Sequence, residues 1–315
     1  MVTEARPVLP TDLLALVSYK GRRYQNEAWT RERMGASEPP GTLGLVLDSF
    51  LAFAKGRSAW INVKHQRLQG LVGARRRGGR QAWEIDYLID ATPGGDVVPG
   101  LLECAIADAG RGGAEKLFLR LESDSQLLPI VRETGFLPYQ EEVLYSRSFG
   151  LRANADTTLR PVTPSDSYLL FRLYNQLTPE TARRSEAATF GEWHAAQETR
   201  WLKNGLQRIG WEHGEPTASV RAARLPQGVL MELMLTEKAL DQTRAIIAAA
   251  VHDLEAGQPS IFVLLPRSAG ALASRLEDAG FEPQQEFVSL MRRTTRTQTL
   301  PLILPAVAGN AVPGV

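Results

Sequence analysis

The sequence predicts a mixed α/β fold, with two tandem copies of one domain that is built on a mixed sheet. The nine residues GFLPYQEEV (135–143) return as GFEPQQEFV (280–288), with six identities. Near the start of each copy, RPVLPTD (6–12) returns as RPVTPSD (160–166), with five identities in seven. Both repeats keep the same order and a spacing of roughly 150 residues, a common size for one domain. We therefore interpret the chain as a tandem duplication.

Composition limits the classes of partner. Of 315 residues, 43% are hydrophobic, which suffices for two ordinary cores. The formal net charge is only +1, with 36 basic and 35 acidic residues, so no long-range attraction to nucleic acid is expected. No apolar run reaches the roughly 18 residues of a membrane span, and the first residues lack the apolar core of a signal peptide. We therefore expect a cytoplasmic protein with no nucleic-acid or membrane partner.

The sequence also predicts no disulfide and no metal site. Cys104 is the single cysteine, and it lies in an apolar helical pattern that is typical of a buried structural thiol. The four histidines share no metal-ligand spacing with one another or with this cysteine.

Each copy opens with a short strand that ends in Pro-x-Asp and leads into a helix. Asp12 and Asp166 are predicted to cap these helices, because a carboxylate can accept hydrogen bonds from N–H groups of a first helical turn. The apolar spacing in residues 13–17 and 169–177 fits one buried helical face. Two further helices are expected in each copy before the first hairpin.

The period then changes to two, which predicts antiparallel strands with Gly or Pro near the reversals. These strands are residues 59–63, 70–75 and 83–89 in the first copy, and 208–212, 217–222 and 229–235 in the second. A helix, a buried strand, a short helix and a last strand follow. They are residues 100–109, 116–121, 128–134 and 142–148, and residues 242–254, 260–265, 271–279 and 287–292.

Gly135 and Gly280 stand where the short helix of each copy needs a left-handed residue to end. The predicted organisation is a first domain over residues 1–150, a polar linker over 151–159, a second domain over 160–293 and a proline-containing tail over 294–315.

This order of elements resembles that of the GNAT (N-acetyltransferase) superfamily. The segments RLEDAGF (275–281) and VRETGF (131–136) are similar to the penultimate helix of that family and its Gly-Phe exit. The hairpin with GLVG (70–73) looks like its second and third strands. The resemblance covers both copies. It implies acyl transfer from acetyl-CoA to a primary amine, on a small molecule or a peptide.

The resemblance also implies a phosphate site on the loop that opens the long helix, with the pattern Arg/Gln-x-x-Gly-x-Gly/Ala. Glycines let a backbone approach phosphate, and a helix N-terminus carries partial positive charge. In the first copy the loop has Gly94 and Gly95 but no Arg or Gln. In the second it has no glycine, and Lys238 and Arg244 are the candidate phosphate ligands. The motif is thus degenerate in both copies.

A tyrosine four residues before the Gly-Phe often protonates the leaving thiolate in that family. Here Val131 and Leu276 stand at that position, and neither can donate a proton.

Candidate general bases lie on the third strand of each hairpin sheet. They are Glu84 and Asp86 in the first copy and Glu232 in the second. Alternation places Glu84 and Asp86 on one face of their strand. The other interpretation is that these carboxylates line a solvated face.

Two other features have both a functional and a structural interpretation. The basic run RRRGGR (75–80) is either a clamp for phosphate or RNA or, as we expect, a solvated hairpin turn. Trp193, Trp201, Trp211 and His194 either shape an acceptor pocket or, as we expect for most of them, pack in the core.

Two functions stay open at this point. The first is an acetyl-CoA-dependent N-acetyltransferase in which one copy is catalytic and the other supports it. The second is a catalytically inactive GNAT-fold protein that serves as a binding or scaffold module for a protein partner. The resemblance favours the first function, and the degenerate motifs favour the second or a transferase with a divergent cofactor site.

Overall fold

A computed structural model describes residues 5–9, 12, 25–36, 57–65, 67–92, 94–148, 159–254 and 260–294. In the first copy the elements are β1 (Arg6–Pro7), β2 (Arg57–Lys64), β3 (Arg67–Arg76), β4 (Ala82–Asp90), α1 (Val98–Arg111), β5 (Lys116–Glu122), α2 (Leu128–Glu133) and β6 (Leu137–Ser148). In the second they are β7 (Leu159–Pro161), α3 (Ser167–Leu177), α4 (Glu180–Glu186), α5 (Phe190–Ala196), β8 (Gly205–Glu212), β9 (Glu215–Leu225), β10 (Gly228–Leu235), α6 (Thr243–Asp253), β11 (Ser260–Pro266), α7 (Gly270–Asp278) and β12 (Glu282–Arg293).

The predicted strands and helices are confirmed wherever the structure describes them, and most extend a few residues beyond their predicted ends. The helix predicted over residues 13–17, most of the linker and nearly all of the tail lie outside the described residues. The domain boundaries stay predictions. Gly135 and Gly280 have φ values of +84° and +81°, the left-handed conformation that a helix exit requires. Cys104 is only half-buried on α1.

The repeated heptapeptide at the start of each copy forms a closed turn. Asp166 accepts a hydrogen bond from the backbone N–H of Thr163 at 2.7 Å and binds both terminal guanidinium nitrogens of Arg160 at 2.8 and 2.7 Å. It makes no side-chain bond to the first turn of α3. Asp166 therefore does not cap α3 itself, and its carboxylate instead completes a capping box with Thr163 around the 3-10 turn (164–166) that leads into α3. Asp12 repeats this geometry with Arg6 and Leu9.

All twelve strands form one sheet, in the order β1-β2-β3-β4-β5-β12-β6-β11-β10-β9-β8-β7. The last strand of each copy pairs with the other copy. Strand β12 lies between β5 and β6, and β6 lies between β12 and β11. The register pairs Leu121 with Val288 and Leu144 with Leu264. The two copies are thus joined through the middle of a continuous sheet, where β12 and β6 are paired along both edges.

Two apolar cores fill one face of this sheet, under α1 and α2 in the first copy and under α6 and α7 in the second. The opposite face carries residues 31–36 and helices α3 to α5. Trp201 is buried there and Trp211 is partly buried, as the packing interpretation predicts. Trp193 is buried as well, and it also lines the cavity described below.

Each copy has a parallel strand pair that separates after three residues. Strands β4 and β5 pair only over Ala82–Glu84, and β10 and β11 pair only over Val229–Met231. Beyond these residues the strands diverge, and a wedge opens between them in both copies.

Candidate functional site

The wedge of the first copy is filled by the chain itself. Residues 25–30 run between β4 and β5 and bond to both strands. The backbone N–H of Glu27 donates to the carbonyl of Leu88 at 2.8 Å, and that of Trp29 donates to the carbonyl of Arg120 at 2.9 Å. We call this segment the plug. It forms hydrogen bonds with backbone groups that the diverging strands would otherwise leave unpaired.

Asn26 fixes the plug against β4. Its side-chain nitrogen donates to the carbonyl of Asp86 at 2.9 Å, and its side-chain oxygen accepts from the backbone N–H groups of Ala28 at 3.0 Å and Leu88 at 2.9 Å. Asn26 is only 1% exposed, so no water competes for these bonds. No room is left in this wedge for the arm of an acyl-CoA.

Gly94 and Gly95 lie in a turn just before α1. Their φ values are +96° and +73°, and the backbone N–H of Val98 donates to the carbonyl of Gly95 at 3.0 Å. A Cβ on Gly95 would stand 2.3 Å from a methyl carbon of Ile130, so α2 covers this glycine closely. The glycines therefore serve a tight turn. The first copy does not fit an acyl-CoA.

The wedge of the second copy opens into a cavity of about 290 Å³. The cavity lies between the diverging ends of β10 and β11 on one side and helices α3 to α5 on the other. Leu233, Met234, Leu264 and Pro266 line it at the wedge. Within the described residues, no segment of the chain occupies this wedge as the plug occupies the other.

The floor of the cavity is a network of buried arginines and glutamates that comes from both copies. Arg31, which directly follows the plug, ion-pairs with Glu198 and Glu232. Arg120 on β5 binds Glu142 on β6 at 2.7 Å and Glu198 at 3.1 Å. The first copy therefore supplies cations to the cavity of the second.

The network keeps its carboxylates ionised. Burial by itself would raise the pKa of Glu198, but attraction to Arg120 and Arg31 outweighs burial and holds that pKa well below its usual range. The pKa of Glu142 is lowered in the same way, and the hydroxyl of Ser289 also donates to it. These groups bind cations and do not accept protons near neutral pH.

Glu84 and Asp86, two of the sequence-predicted bases, belong to this polar layer in the first copy. They are 4% and 3% exposed, so the solvated-face interpretation is wrong for both. Glu84 pairs with Arg75 at 2.6 Å, and Asp86 pairs with Arg57. Burial raises the pKa of each carboxyl, and the arginines oppose that shift.

The expectation of a solvated turn is wrong for the first residues of the basic run over 75–80. The side chains of Arg75 and Arg77 are 9% and 5% exposed, and Arg77 pairs with Glu84 at 3.3 Å and with Glu198 at 3.2 Å. Cross-strand carboxylates attract these arginines into the interior, which local sequence does not reveal.

Glu232, the third predicted base, does line the cavity of the second copy. Its carboxylate pairs with Arg31 and with Arg221, the latter at 2.7 Å. Each of its two oxygens binds one of these arginines.

Glu186, the last residue of α4, is a cavity carboxylate that sequence reasoning missed. Its carboxylate accepts a hydrogen bond from the hydroxyl of Tyr174 at 3.0 Å. Among the described residues, no arginine or lysine forms an ion pair with it. Burial raises its pKa, and Arg77 and Tyr174 only partly offset that shift. The segment ETARRSE (180–186) reads as an exposed charged helix, so no local signal marks this glutamate.

The loop that precedes α6 does not present a set of free backbone N–H groups that could bind phosphate. Residues 237–242 form a 3-10 turn in which the N–H of Ala239 donates to Thr236. Lys238 on this turn and Arg244 in the first turn of α6 are both exposed, and neither forms an ion pair within the described residues. They lie at the end of β10 that borders the wedge, where their side chains would hold phosphate in place of the missing glycine backbone.

None of the helices in the described ranges is long and apolar enough to cross a lipid bilayer. The same residues contain no group of three or more ligand side chains placed to share a metal ion.

Comparisons with known proteins agree with this architecture. No protein-family model matches the chain, and no curated protein matches it in sequence. A GCN5-related N-acetyltransferase from Sphaerobacter thermophilus superposes with a TM-score of 0.55 at 12% identity, over 92% of this chain and 95% of that one. A tandem GNAT protein from the clavulanic acid biosynthesis pathway gives 0.50 at 12% identity, over 92% and 98%. The chain therefore has a tandem GNAT fold, which confirms the predicted fold class and resemblance.

Proposed function

We propose that the protein is an acyl-CoA-dependent N-acyltransferase with one active site, in the second copy. The observation that carries this proposal is the difference between the two wedges. The wedge of the first copy is closed by the plug, whereas that of the second opens into a cavity lined by ionisable groups. The first copy then serves as a support that supplies Arg31, Arg77 and Arg120 to the network.

The second copy offers groups that could bind two parts of an acyl-CoA, its amide-containing arm and its phosphates. The separated ends of β10 and β11 offer unpaired backbone edges to its amide-containing arm, as the edges of β4 and β5 accept the plug. Lys238 and Arg244 offer cationic side chains to its phosphates. When bound, the acyl-CoA would supply a thioester: the acceptor nitrogen would form the new C–N bond, the C–S bond would break, and CoA would leave as a thiolate that takes up the second proton of the nitrogen.

Glu186 accepts the proton of the acceptor ammonium in this proposal. A nitrogen must lose a proton to attack, and a carboxylate with a raised pKa takes it more readily than an ordinary one. The hydroxyl of Tyr174 holds the carboxylate toward the cavity. Glu232 keeps its arginine partners and shapes the floor, so it positions groups and does not act as the base.

Titration calorimetry with acetyl-CoA on the full chain tests the proposal. We expect binding, and we expect the double variant Lys238→Ala/Arg244→Ala to weaken it about tenfold, since an exposed charge contact contributes roughly 0.2–1 kcal/mol. The matched control is Lys203→Ala/Arg132→Ala, which removes two exposed cations elsewhere. No binding at millimolar acetyl-CoA would overturn the transferase and leave the scaffold function. Equal loss in both double variants would move the phosphate site away from α6.

A further inference from the structure

We infer that the acceptor is a small organic cation without a carboxylate, bound between Glu186 and the rings of Tyr174 and Trp193. Its role as acceptor rests on the proposed function. The site itself rests on the carboxylate of Glu186, the aromatic walls and the size of the cavity.

One carboxylate of the cavity favours a cation. The lining arginines Arg31, Arg77 and Arg221 are each paired with a carboxylate of the floor. The carboxylate of Glu186 has a hydroxyl partner and, within the described part of the chain, no basic one. The carboxylate of Glu186 thus lacks a direct ion-pair partner in this part of the chain, and a bound ammonium would supply one.

Aromatic rings surround this carboxylate. Tyr174 and Trp193 both line the cavity, and their ring centroids lie 6.2 Å apart at an angle of 44°. Phe171 and Phe190 pack behind Trp193, with centroid distances of 5.8 and 6.1 Å, and hold its ring in place. Ring faces attract ammonium and guanidinium groups, most strongly where water is excluded. Rings beside a carboxylate form a typical recognition site for an organic cation.

The same floor disfavours an acceptor that carries a carboxylate. An α-amino acid would bring a second negative charge toward Glu142, Glu198 and Glu232, and the arginines there already hold these groups. To bind the carboxylate of the amino acid, an arginine would have to leave its buried glutamate without an ion pair. That loss is unfavourable in free energy.

The size of the cavity limits the acceptor further. About 290 Å³ is at the lower end of ligand pockets, which span roughly 300–1,000 Å³. A single small amine fits this volume, and a folded peptide segment does not.

Binding of matched pairs in the absence of acyl-CoA tests this inference. Calorimetry on the full chain would compare phenethylamine with phenylalanine, and agmatine with arginine, since each pair differs by one carboxylate. We expect at least one amine to bind about tenfold or more tightly than its amino acid, because a hydrogen-bonded ion pair is gained without a repelled anion. Equal or tighter binding of both amino acids, or no binding of either amine at millimolar concentration, would overturn the inference.

The variant Glu186→Gln keeps the shape of the side chain and removes its charge. We expect it to weaken amine binding about tenfold and to leave amino-acid binding unchanged. Glu180→Gln on the same helix, where the exposed carboxylate pairs with Arg184, is the control and should change neither. Unchanged amine affinity in Glu186→Gln would refute the site. An amine that binds to a protein with no affinity for acetyl-CoA would refute the transferase and keep the cation site, so the two failures are distinguishable.

Discussion

The side-chain oxygen of Asn26 accepts a hydrogen bond from the backbone N–H of Leu88 at 2.9 Å, where β4 leaves β5. A residue that precedes β4 by more than fifty positions thus closes the space in which a GNAT fold separates its central strands. The second copy has the same separation and no equivalent plug among its described residues. This difference between the copies determines where a ligand can enter.

Loss of the Asn26 side chain should destabilise the protein. Asn26→Ala leaves the N–H groups of Ala28 and Leu88 and the carbonyl of Asp86 without their partner. Unsatisfied buried groups cost about 1–3 kcal/mol, and urea denaturation would measure that loss in the free energy of unfolding. Asn204→Ala, at an exposed position, is the control and should be nearly neutral. Equal stability of both variants would contradict the structural role of the plug.

The chain should bind one acyl-CoA and not two. The plug fills the first wedge with backbone hydrogen bonds, so only the second copy has an open slot. Calorimetric stoichiometry or native mass spectrometry with acetyl-CoA would count the sites. Two equivalents of bound acetyl-CoA per chain would show that the plug yields to the ligand.

We expect the substitution Arg31→Ala to lower the free energy of unfolding strongly. Arg31 pairs with Glu198 and Glu232, and its removal leaves buried carboxylates with fewer cations. Breaking a buried ion pair from one side costs about 3–5 kcal/mol in the free energy of unfolding. The control Arg184→Ala breaks an exposed pair with Glu180 and should cost no more than about 0.5 kcal/mol. Thermal and urea unfolding of the two variants would check the contrast.

The rate of acyl transfer should depend on the ionisation of Glu186. Its pKa is raised, mainly by burial, so the carboxylate takes up a proton at a higher pH than an ordinary glutamate. The neighbouring charges of Arg77 and Arg31 oppose this rise, and Glu142 adds to it. With an amine substrate, the rate should therefore fall as pH decreases through this raised pKa. Glu186→Gln should lower the rate about 10²–10⁴-fold and remove that acid limb. A wild-type acid limb that survives in the variant would assign the proton transfer to another group.

Separated halves should not fold as independent domains. Strand β6 lies between two strands of the second copy, and β12 lies between two strands of the first. A polypeptide of residues 1–150 would thus expose unpaired edges on β5 and β6, which promote association. We expect each half alone to aggregate or to form exchanged dimers, and the mixed halves to form a one-to-one complex. Size-exclusion chromatography with circular dichroism would show this, and a stable monomeric half would argue against it.

The sequence by itself determined the duplication, the order of the elements and the glycine exits of the short helices. These features are local. A change of hydrophobic period within about ten residues marks a strand or a helix, and Gly135 and Gly280 report a backbone conformation that few other residues adopt. The repeated Arg-Pro-Val-x-Pro-x-Asp was also visible, although the role of its aspartate as a partner of Arg160 appeared only in the fold.

Tertiary structure alone decided which carboxylates are functional candidates. Arg31 and Glu232 are 201 positions apart, and nothing near either residue reveals that the two form an ion pair. Glu84 and Asp86 have the same strand pattern as a solvated face, yet arginines from other strands hold them in the interior. Glu186 is the reverse case, a residue in a charged helix whose carboxylate the packing of α3 and α5 turns into a cavity. The pKa and the partners of a side chain depend on the groups that surround it in space, and exchange of β6 and β12 between the copies sets those surroundings.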